Sequence, residues 1–411
     1  MINSPFNDEE VKASSESTVP SDEQVVTQPT TSKNARNWLV TIGILITASL
    51  SGYFGLMLLH NTLLSSTTAP IPSPPKPVST ISSSSSSSSV IKSSEAMDSD
   101  DLSVIQTTTQ SHQIALKFKN GTQSLDRVID KIVKHCKENK LSTESLSISL
   151  VNLKTNERIG YQNDVGRYPA SVVKIFWLFN LYDAQTIYPN LQSSIDKMIL
   201  KSDNNGASQV LDYITRTKSS KGELLEVEFQ AEKQKRKSIN NFYQSRGYSH
   251  SINISQKTFP ITQENIMEPA GFDKQLRGSN VQKPIRNKIT TDDAALLIYE
   301  IINNPHQEMT KLLTRNINPS FWRQQPPNPI EFNPVESFFG EGLEGLESEN
   351  IISKAGWTSA SRQEVAYIKS KDGKTEYILT VFGDSADYAK SKKIFPGISK
   401  LVYQEMQNIN K

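Results

Sequence analysis

Ser171 and Lys174 stand three positions apart in a segment whose composition could support nucleophilic chemistry. The run from Val172 to Leu181 is rich in apolar residues, which predicts a buried helix. Residues i and i+3 share one face of a helix, so the lysine amine is expected beside the serine hydroxyl. Serine is a poor nucleophile at its free pKa, and a desolvated amine beside it can take its proton. A chance surface pair is the alternative, which the apolar neighbours of Lys174 disfavour.

A second motif, Ser202-Asp203-Asn204, offers a hydroxyl, a carboxylate and an amide in succession. The serine could relay a proton to a leaving nitrogen, and the asparagine could bind both a substrate and Lys174. The aspartate would fix the turn. These three residue types also favour helix N-termini, so an N-cap before a helix over Gly206–Ile214 is the structural alternative. The two interpretations are compatible with each other.

A third motif, Lys354-Ala355-Gly356, follows the apolar residues Ile351 and Ile352 and is predicted to end a strand. The lysine could hold a substrate carboxylate, and the glycine would let the strand backbone approach a substrate closely. Taken alone, this motif is explained better by a surface lysine at the end of a strand.

In this order, the three motifs resemble the S-x-x-K, S-D-N and K-T-G set of class A β-lactamases and penicillin-binding proteins. The segment 287–291 is similar to the threonine-containing start of the helix that follows the family's Ω-loop. The resemblance covers about residues 115–408. It implies an α/β sandwich with an inserted all-helical subdomain, and acyl-enzyme chemistry on a β-lactam or related amide. Peptidoglycan-like substrates are implied as well.

The resemblance also implies roles for individual residues. Ser171, Lys174, Ser202 and Lys354 would be catalytic, with Ser171 as the nucleophile, and Asn204, Gly356 and Ser359 would bind substrate. The oxyanion hole would use the backbone N–H of Ser171 and that of a residue on the strand after Gly356, for which Ser359 is the candidate.

The sequence departs from the family pattern at several places. Only 31 positions separate the first two motifs, and a long charged segment, 216–261, follows the second. The E-x-x-L-N glutamate of the Ω-loop is missing from 272–289, and Glu264 and Glu268 are the nearest candidates for a deacylation base. Alanine in K-A-G removes a hydroxyl. Acylation is therefore predicted, whereas fast deacylation is not. A cell-wall peptidase or esterase, and a non-catalytic wall-binding or sensor module, stay open as alternatives.

Apolar periodicity predicts the elements that position these motifs. Their order is helix, strand, helices, three strands, helix, which predicts an α+β domain over 113–411. This domain would have an antiparallel sheet flanked by helices, and a helical subdomain inserted before the last strands. The predicted elements are a helix at Ser124–Lys137, a strand opening Leu146–Ile159, a helix at Thr291–Ile302, strands at Ile351–Ala355, Glu364–Lys369 and Tyr377–Phe382, and a helix at Ala386–Gln407.

The residues before this domain predict a membrane anchor. Residues 1–37 are polar and acidic, which is typical of a disordered tail. The uncharged apolar run 38–59 is long enough to span a bilayer. Lys33 and Arg36 precede it, so the tail is expected in the cytoplasm and the catalytic domain outside a bacterial cell membrane. A cleaved signal peptide is the alternative. The Ser- and Pro-rich segment 60–112 predicts an extended, flexible linker.

The overall composition argues against several functional classes. The formal net charge is +2, which does not indicate a nucleic-acid partner, and the basic run 233–237 is interpreted as a solvated helix face. Cys136 is the one cysteine and is predicted to be a buried core thiol. The five histidines are scattered, so no metal or other cofactor is predicted. The oligomeric state is left open.

Overall fold

The computed structural model describes residues 117–184, 189–261, 267–323, 333–346 and 350–411. The predicted tail, membrane span and linker lie outside these residues, as does Glu264. Within the described ranges, no helix is both long and apolar enough to cross a membrane.

The strands in the described ranges form one seven-stranded sheet, in the order β1-β3-β2-β7-β6-β5-β4. Neighbouring strands are antiparallel except β1 and β3, which are parallel. The predicted antiparallel sheet is confirmed, with longer strands than expected. The strands are β1 (Lys119–Asn120), β2 (Leu146–Asn152), β3 (Glu157–Tyr161), β4 (Thr314–Asn316), β5 (Asn350–Thr358), β6 (Ser361–Lys369) and β7 (Glu376–Gly383).

Helices lie on both faces of this sheet. In chain order they are α1 (Gln123–Glu138), α2 (Val173–Asp183), α3 (Gln192–Leu200), α4 (Asn204–Thr215), α5 (Glu226–Ser245), α6 (Gly271–Gln275), α7 (Thr291–Ile302), α8 (Gln307–Leu313), α9 (Pro319–Trp322), α10 (Phe339–Gly342), α11 (Ala386–Lys390) and α12 (Ile394–Ile409). Helices α1, α10 and α12 share a buried apolar cluster with one face of the sheet, and α2, α4 and α7 share a second cluster with the other. Cys136 is buried in the first cluster, as predicted.

Strand β2 shows how burial on both faces changes a sequence pattern. Apolar residues alternate with Ser147 and Ser149 along this strand, and both serines are buried. The Ser149 hydroxyl lies 2.7 Å from a carboxylate oxygen of Asp292, at the start of α7. The Ser147 hydroxyl donates to the Gln162 carbonyl and accepts from Arg167. Buried hydroxyls need such partners, and for Ser149 they come from α7.

The charged segment 216–261 contributes buried side chains to the core, mostly from its second half. Helix α5 buries Ile239 and Tyr243 against α2, where the Tyr243 hydroxyl donates to the carbonyl of Phe176. The basic run 233–237 lies on α5, but the prediction that it forms a wholly solvated face is wrong at one position. Arg236 is completely buried, because two carboxylates neutralise its charge there.

The C-terminal helix differs from the single helix that was predicted. The chain forms two helices, α11 and α12, with a break at 391–393. Pro396 gives the physical reason, since proline lacks an N–H and clashes with the preceding turn inside a helix but is tolerated in a first turn. Pro396 is the third residue of α12, so the helix begins anew just before it.

Candidate active site

Ser171 lies in a 3₁₀ turn, Ala170–Val172, that leads directly into α2. Its side chain is half-buried, whereas both neighbours in the turn are buried. Ala170 has a φ of +46°, a left-handed conformation that is rare for a residue with a Cβ atom. Backbone strain of this kind is typically found at functional sites. Here the left-handed conformation of Ala170 comes directly before Ser171, which lies at the N-terminal end of the buried helix α2.

Lys174 is fully buried in α2, and its amine meets four oxygen atoms. The Nζ atom lies 2.5 Å from the Ser202 carbonyl oxygen and 2.8 Å from Oδ1 of Asn204. It also lies 3.0 Å from Oγ of Ser171 and 3.4 Å from Oγ of Ser202. The carbonyl and amide oxygens can only accept, so they take two N–H groups. The remaining position of the nitrogen is therefore directed at the two serine hydroxyls.

The protonation state of Lys174 decides what that remaining position does. Burial lowers the pKa of Lys174 to about 7, although the Asp203 carboxylate acts in the opposite direction. A neutral amine presents a lone pair toward the Ser171 hydroxyl, and an ammonium presents a third N–H. Near neutral pH, both forms are populated. In its neutral form, the Lys174 amine can accept a proton from the Ser171 hydroxyl.

This arrangement predicts how acylation depends on pH. Because only the neutral amine can act as the base, the second-order rate constant of acylation should rise with pH through about 7 and level off above it. Stopped-flow measurements with a chromogenic β-lactam at about pH 5.5 to 9 would give the profile, with circular dichroism to confirm that the fold is intact throughout. A flat profile over this range would contradict the assignment of Lys174 as the base.

Ser202 joins the two lysines of the site. It has a φ of +54° and precedes α4, whose N-cap is Asp203. The Asp203 carboxylate accepts from the Gly206 N–H at 2.6 Å, so the capping interpretation is confirmed. The same turn aims the Ser202 hydroxyl between the amines, 2.9 Å from Nζ of Lys354 and 3.4 Å from Nζ of Lys174. A proton can pass along this hydroxyl.

Lys354 lies within β5 rather than at its end, and only 1 % of it is exposed. Its amine donates to the carbonyl of Ala355 at 2.8 Å as well as to Ser202. Burial and the cations Lys174 and Arg315 lower the pKa of Lys354 well below its usual range, and Glu364 opposes them. An anionic group bound beside this lysine would relieve the crowding of positive charge, which makes the site suited to a carboxylate.

Gly356 sets how closely β5 approaches the nucleophile. A Cβ atom on this residue would lie 2.8 Å from the Ser171 nitrogen and 3.0 Å from the Pro169 carbonyl oxygen. Both are backbone atoms, so only glycine permits this contact. The close approach seen here is to the chain at Ser171, whereas the predicted approach to a substrate stays a prediction. It brings the β5 backbone beside the Ser171 N–H, where an oxyanion hole would need two such groups.

Two of the predicted residues are not brought to this constellation, and a third lies outside the described residues. Ser359 is wrong as a strand residue, because β5 ends at Thr358 and Ser359 lies exposed in the turn before β6. The two-residue hairpin between Thr358 and Ser361 gives the reason for this early turn. Glu268 is exposed, with no hydrogen bond or ion pair to Ser171 or Lys174. Glu264 lies outside the described residues.

Other residues near the site carried no signal in the sequence. The Gln363 side chain, opposite Gly356 on β6, donates to the Tyr168 carbonyl at 2.6 Å and so holds the chain before the nucleophile. Glu364 is buried on β6 and accepts from the Phe339 N–H, and burial raises its pKa to about 8. Arg315 is buried on β4, and burial lowers its pKa to about 10. In the described ranges, no group of acidic, histidine and cysteine residues could hold a metal ion.

One family model matches this chain. The model of the Beta-lactamase2 family, described as a beta-lactamase enzyme family, matches residues 183–406, which is more than half of the chain. The match begins after Ser171 and includes the second and third motifs. A search of curated proteins found no match.

Several solved structures are similar at low identity. They include a beta-lactamase from Sphaerobacter thermophilus (16 % identity, 69 % of this chain and 98 % of that one, TM-score 0.44) and a beta-lactamase from Streptosporangium roseum (12 %, 69 % and 99 %, 0.45). A third is a point mutant of PBP-A as an acyl-enzyme complex with penicillin G (14 %, 69 % and 97 %, 0.44). The family match over residues 183–406 is the finding that decides membership, and by it the chain belongs to the beta-lactamase enzyme family.

Proposed function

We propose that the protein is a serine hydrolase that acylates Ser171 with a β-lactam or a related amide of the cell wall. The single observation that carries this proposal is the position of the buried Lys174 amine, 3.0 Å from the Ser171 hydroxyl and near its pKa at neutral pH. A serine without such a base is not a useful nucleophile.

The contacts support the following sequence of steps. The Ser171 Oγ forms a bond to the substrate carbonyl carbon while its proton passes to Lys174. The resulting oxyanion accepts from the Ser171 N–H and from the neighbouring β5 backbone. The C–N bond then breaks, and Ser202 gives its hydroxyl proton to the leaving nitrogen while it takes from Lys174 the proton that came from Ser171. Lys354 holds the substrate carboxylate, and Asn204 holds Lys174 in place.

The second half of the reaction has fewer groups to support it. Hydrolysis of the acyl-enzyme needs a base that activates water, and in the described residues no carboxylate hydrogen bonds Ser171 or Lys174. Glu268 is exposed. We therefore propose a long-lived acyl-enzyme, which is the behaviour of a penicillin-binding protein or a slow lactamase and not that of an efficient one.

A fluorescent penicillin, followed over time by gel and by intact-protein mass spectrometry, tests both halves. A label on Ser171 that persists for many minutes is expected, and Glu264→Gln and Glu268→Gln should leave its lifetime unchanged. A label that fades within seconds would overturn slow deacylation, and a variant that prolongs such a label would identify the base. Absence of any label would overturn acylation and favour a non-catalytic wall-binding module.

We also propose that residues 38–59 anchor the protein in a bacterial cell membrane, with 1–37 in the cytoplasm and the catalytic domain outside. The flanking charges Lys33 and Arg36 support this orientation. Protease added to intact spheroplasts should release a fragment that contains Ser171, and a cytoplasmic marker protein should stay uncut. A catalytic domain that is protected until the membrane is permeabilised would exclude this topology.

A further inference from the structure

Two arginines lie side by side in the segment between α6 and α7. The Ile285 N–H donates to the Arg277 carbonyl at 2.8 Å, which closes the intervening loop and brings Arg286 next to Arg277. The Arg277 guanidinium lies 5.3 Å from the ring centre of Phe259, and that of Arg286 lies 5.9 Å from the ring centre of Tyr168. Both planar cations are thus supported by an aromatic ring. We call Arg277 and Arg286 the arginine pair.

The charge of the arginine pair is not neutralised by a direct partner. In the part of the chain that the structure describes, neither guanidinium forms an ion pair or donates a hydrogen bond. Burial and the charge of Arg286 lower the pKa of Arg277, and Glu268 and Asp273 act in the opposite direction. Asp273 already pairs with Arg236 and Lys257, and Glu268 is exposed. Two adjacent guanidinium groups with free donors are suited to a carboxylate.

Tyr168 connects the arginine pair to the nucleophile. It lies three positions before Ser171, and both arginines influence its phenol electrostatically. Its carbonyl accepts from Gln363, which is opposite Gly356, and Gly356 in turn contacts the Ser171 nitrogen. The arginine pair therefore lies beside Tyr168, on the segment of chain that leads to the nucleophile. The pair is connected to Ser171 through Tyr168, in the chain before the nucleophile. Ser202, which serves the leaving nitrogen, and Lys354, which serves the carboxylate, take no part in this connection.

We propose that Arg277 and Arg286 form an anion subsite for a carboxylate on the acyl portion of the substrate, separate from the carboxylate that Lys354 holds. This inference rests on the proposed function. The ligand class is an amide whose acyl group carries a free carboxylate, such as a peptide with an acidic side chain or a β-lactam with a carboxylated side chain. The arginine pair would select such substrates over uncharged ones.

Benzylpenicillin and its α-carboxy derivative, carbenicillin, are a matched pair of probes, because they differ by one carboxylate on the acyl side chain. The measured quantity is the ratio of their second-order acylation rate constants. We expect the double variant Arg277→Gln/Arg286→Gln to lower the carbenicillin-to-benzylpenicillin ratio by about tenfold, which corresponds to the loss of one charge-assisted contact. An unchanged ratio would overturn the subsite.

Arg246→Gln is the control for this experiment. Arg246 also lies over an aromatic ring, Phe242 at 5.0 Å, but pairs with Asp183 at the far end of α2 from the nucleophile. Its substitution should leave the ratio as it is in the parent protein. A ratio that falls equally in this variant would show a general charge effect and would overturn the subsite.

A second measurement does not depend on acylation. Phenylglyoxal modifies accessible arginines, and peptide mapping by mass spectrometry reports the rate at each one. Glutarate should slow the modification of Arg277 and Arg286 and leave that of Arg246 unchanged. Equal rates with and without glutarate would overturn the subsite even in a protein that acylates normally. Protection in a protein that no penicillin labels would keep the subsite and refute the proposed function.

Discussion

Replacement of Ser171 by alanine should abolish acylation by any β-lactam, because this hydroxyl has the Lys174 amine 3.0 Å away at the start of a buried helix. Lys174→Ala should cost nearly as much. Removal of one member of a nucleophile–base unit typically lowers the rate by about 10³ to 10⁶, and the two losses should not add in the double variant. Intact-protein mass spectrometry after a pulse of β-lactam reads the adduct directly.

The control for these variants is Lys197→Ala, which removes an exposed lysine from α3 and should leave acylation unchanged. Thermal unfolding of each variant separates loss of chemistry from loss of fold. Ser202→Ala should lower the rate less than Ser171→Ala, since Ser202 relays a proton and does not form the covalent bond. An adduct of unchanged yield on the Ser171→Ala protein would refute the assignment of the nucleophile.

The sequence predicts the contact between Ser171 and Lys174 well, because these residues are close in the chain and their pairing follows from helix periodicity alone. It could also suggest that the second motif caps α4. The contact between Ser202 and Lys354 spans 152 positions and joins the turn before α4 to strand β5, so tertiary packing brings it about. The motif resemblance assigned both residues to one site without predicting this contact, and periodicity could do neither.

The errors have a common physical origin in tertiary context. A basic run on a helix predicts solvent exposure, yet Arg236 is buried because Asp212 and Asp273, on two other helices, reach it. Ser359 was expected on a strand, but the length of β5 is set by its pairing with β6 and by the hairpin turn. In both cases the deciding partner lies on another element, and no local pattern reveals it.

The short spacing between the first two motifs also has a structural explanation. In the described residues, α3 is the one α-helix between the end of α2 and Ser202. Helix α5, which comes after the second motif in the chain, also packs in the apolar cluster that contains α2. It buries Tyr243 against Phe176 and Phe179, with ring centres 5.1 and 6.5 Å apart. The support of the nucleophile helix is therefore supplied from a different part of the sequence.

Four charged side chains, of which Asp212 is partly exposed and the other three are buried, contact one another in this later segment. The ionic cluster consists of Asp212 on α4, Arg236 on α5, Lys257 in the following loop and Asp273 on α6. Arg236 contacts Asp212 at 2.6 Å and Asp273 at 3.2 Å, and Lys257 contacts the same two carboxylates at 2.5 and 3.5 Å. The two positive and two negative charges balance, so the cluster is neutral only while all four members are present.

Arg236→Met should therefore lower the free energy of unfolding by about 3 to 5 kcal/mol, since loss of one partner leaves an uncompensated buried carboxylate. The side chain is fully buried, so solvent cannot take over its role. Urea unfolding at neutral pH measures the change, and Lys237→Met, at the exposed neighbouring position of α5, is the matched control with an expected change within about 0.5 kcal/mol.

The pH dependence of this deficit gives a sharper test than its size. Burial raises the pKa of Asp212 even with Lys257 and Arg236 beside it, and loss of Arg236 must raise it further. A carboxyl whose pKa is higher in the folded than in the unfolded state binds its proton more tightly when folded, so its folded state gains stability as the pH falls. The Arg236→Met protein can neutralise the excess negative charge in this way, and its deficit relative to the parent should shrink from neutral toward mildly acidic pH. A deficit that stays constant over that range would show that the loss comes from packing, and that the ionic cluster does not depend on its charge balance.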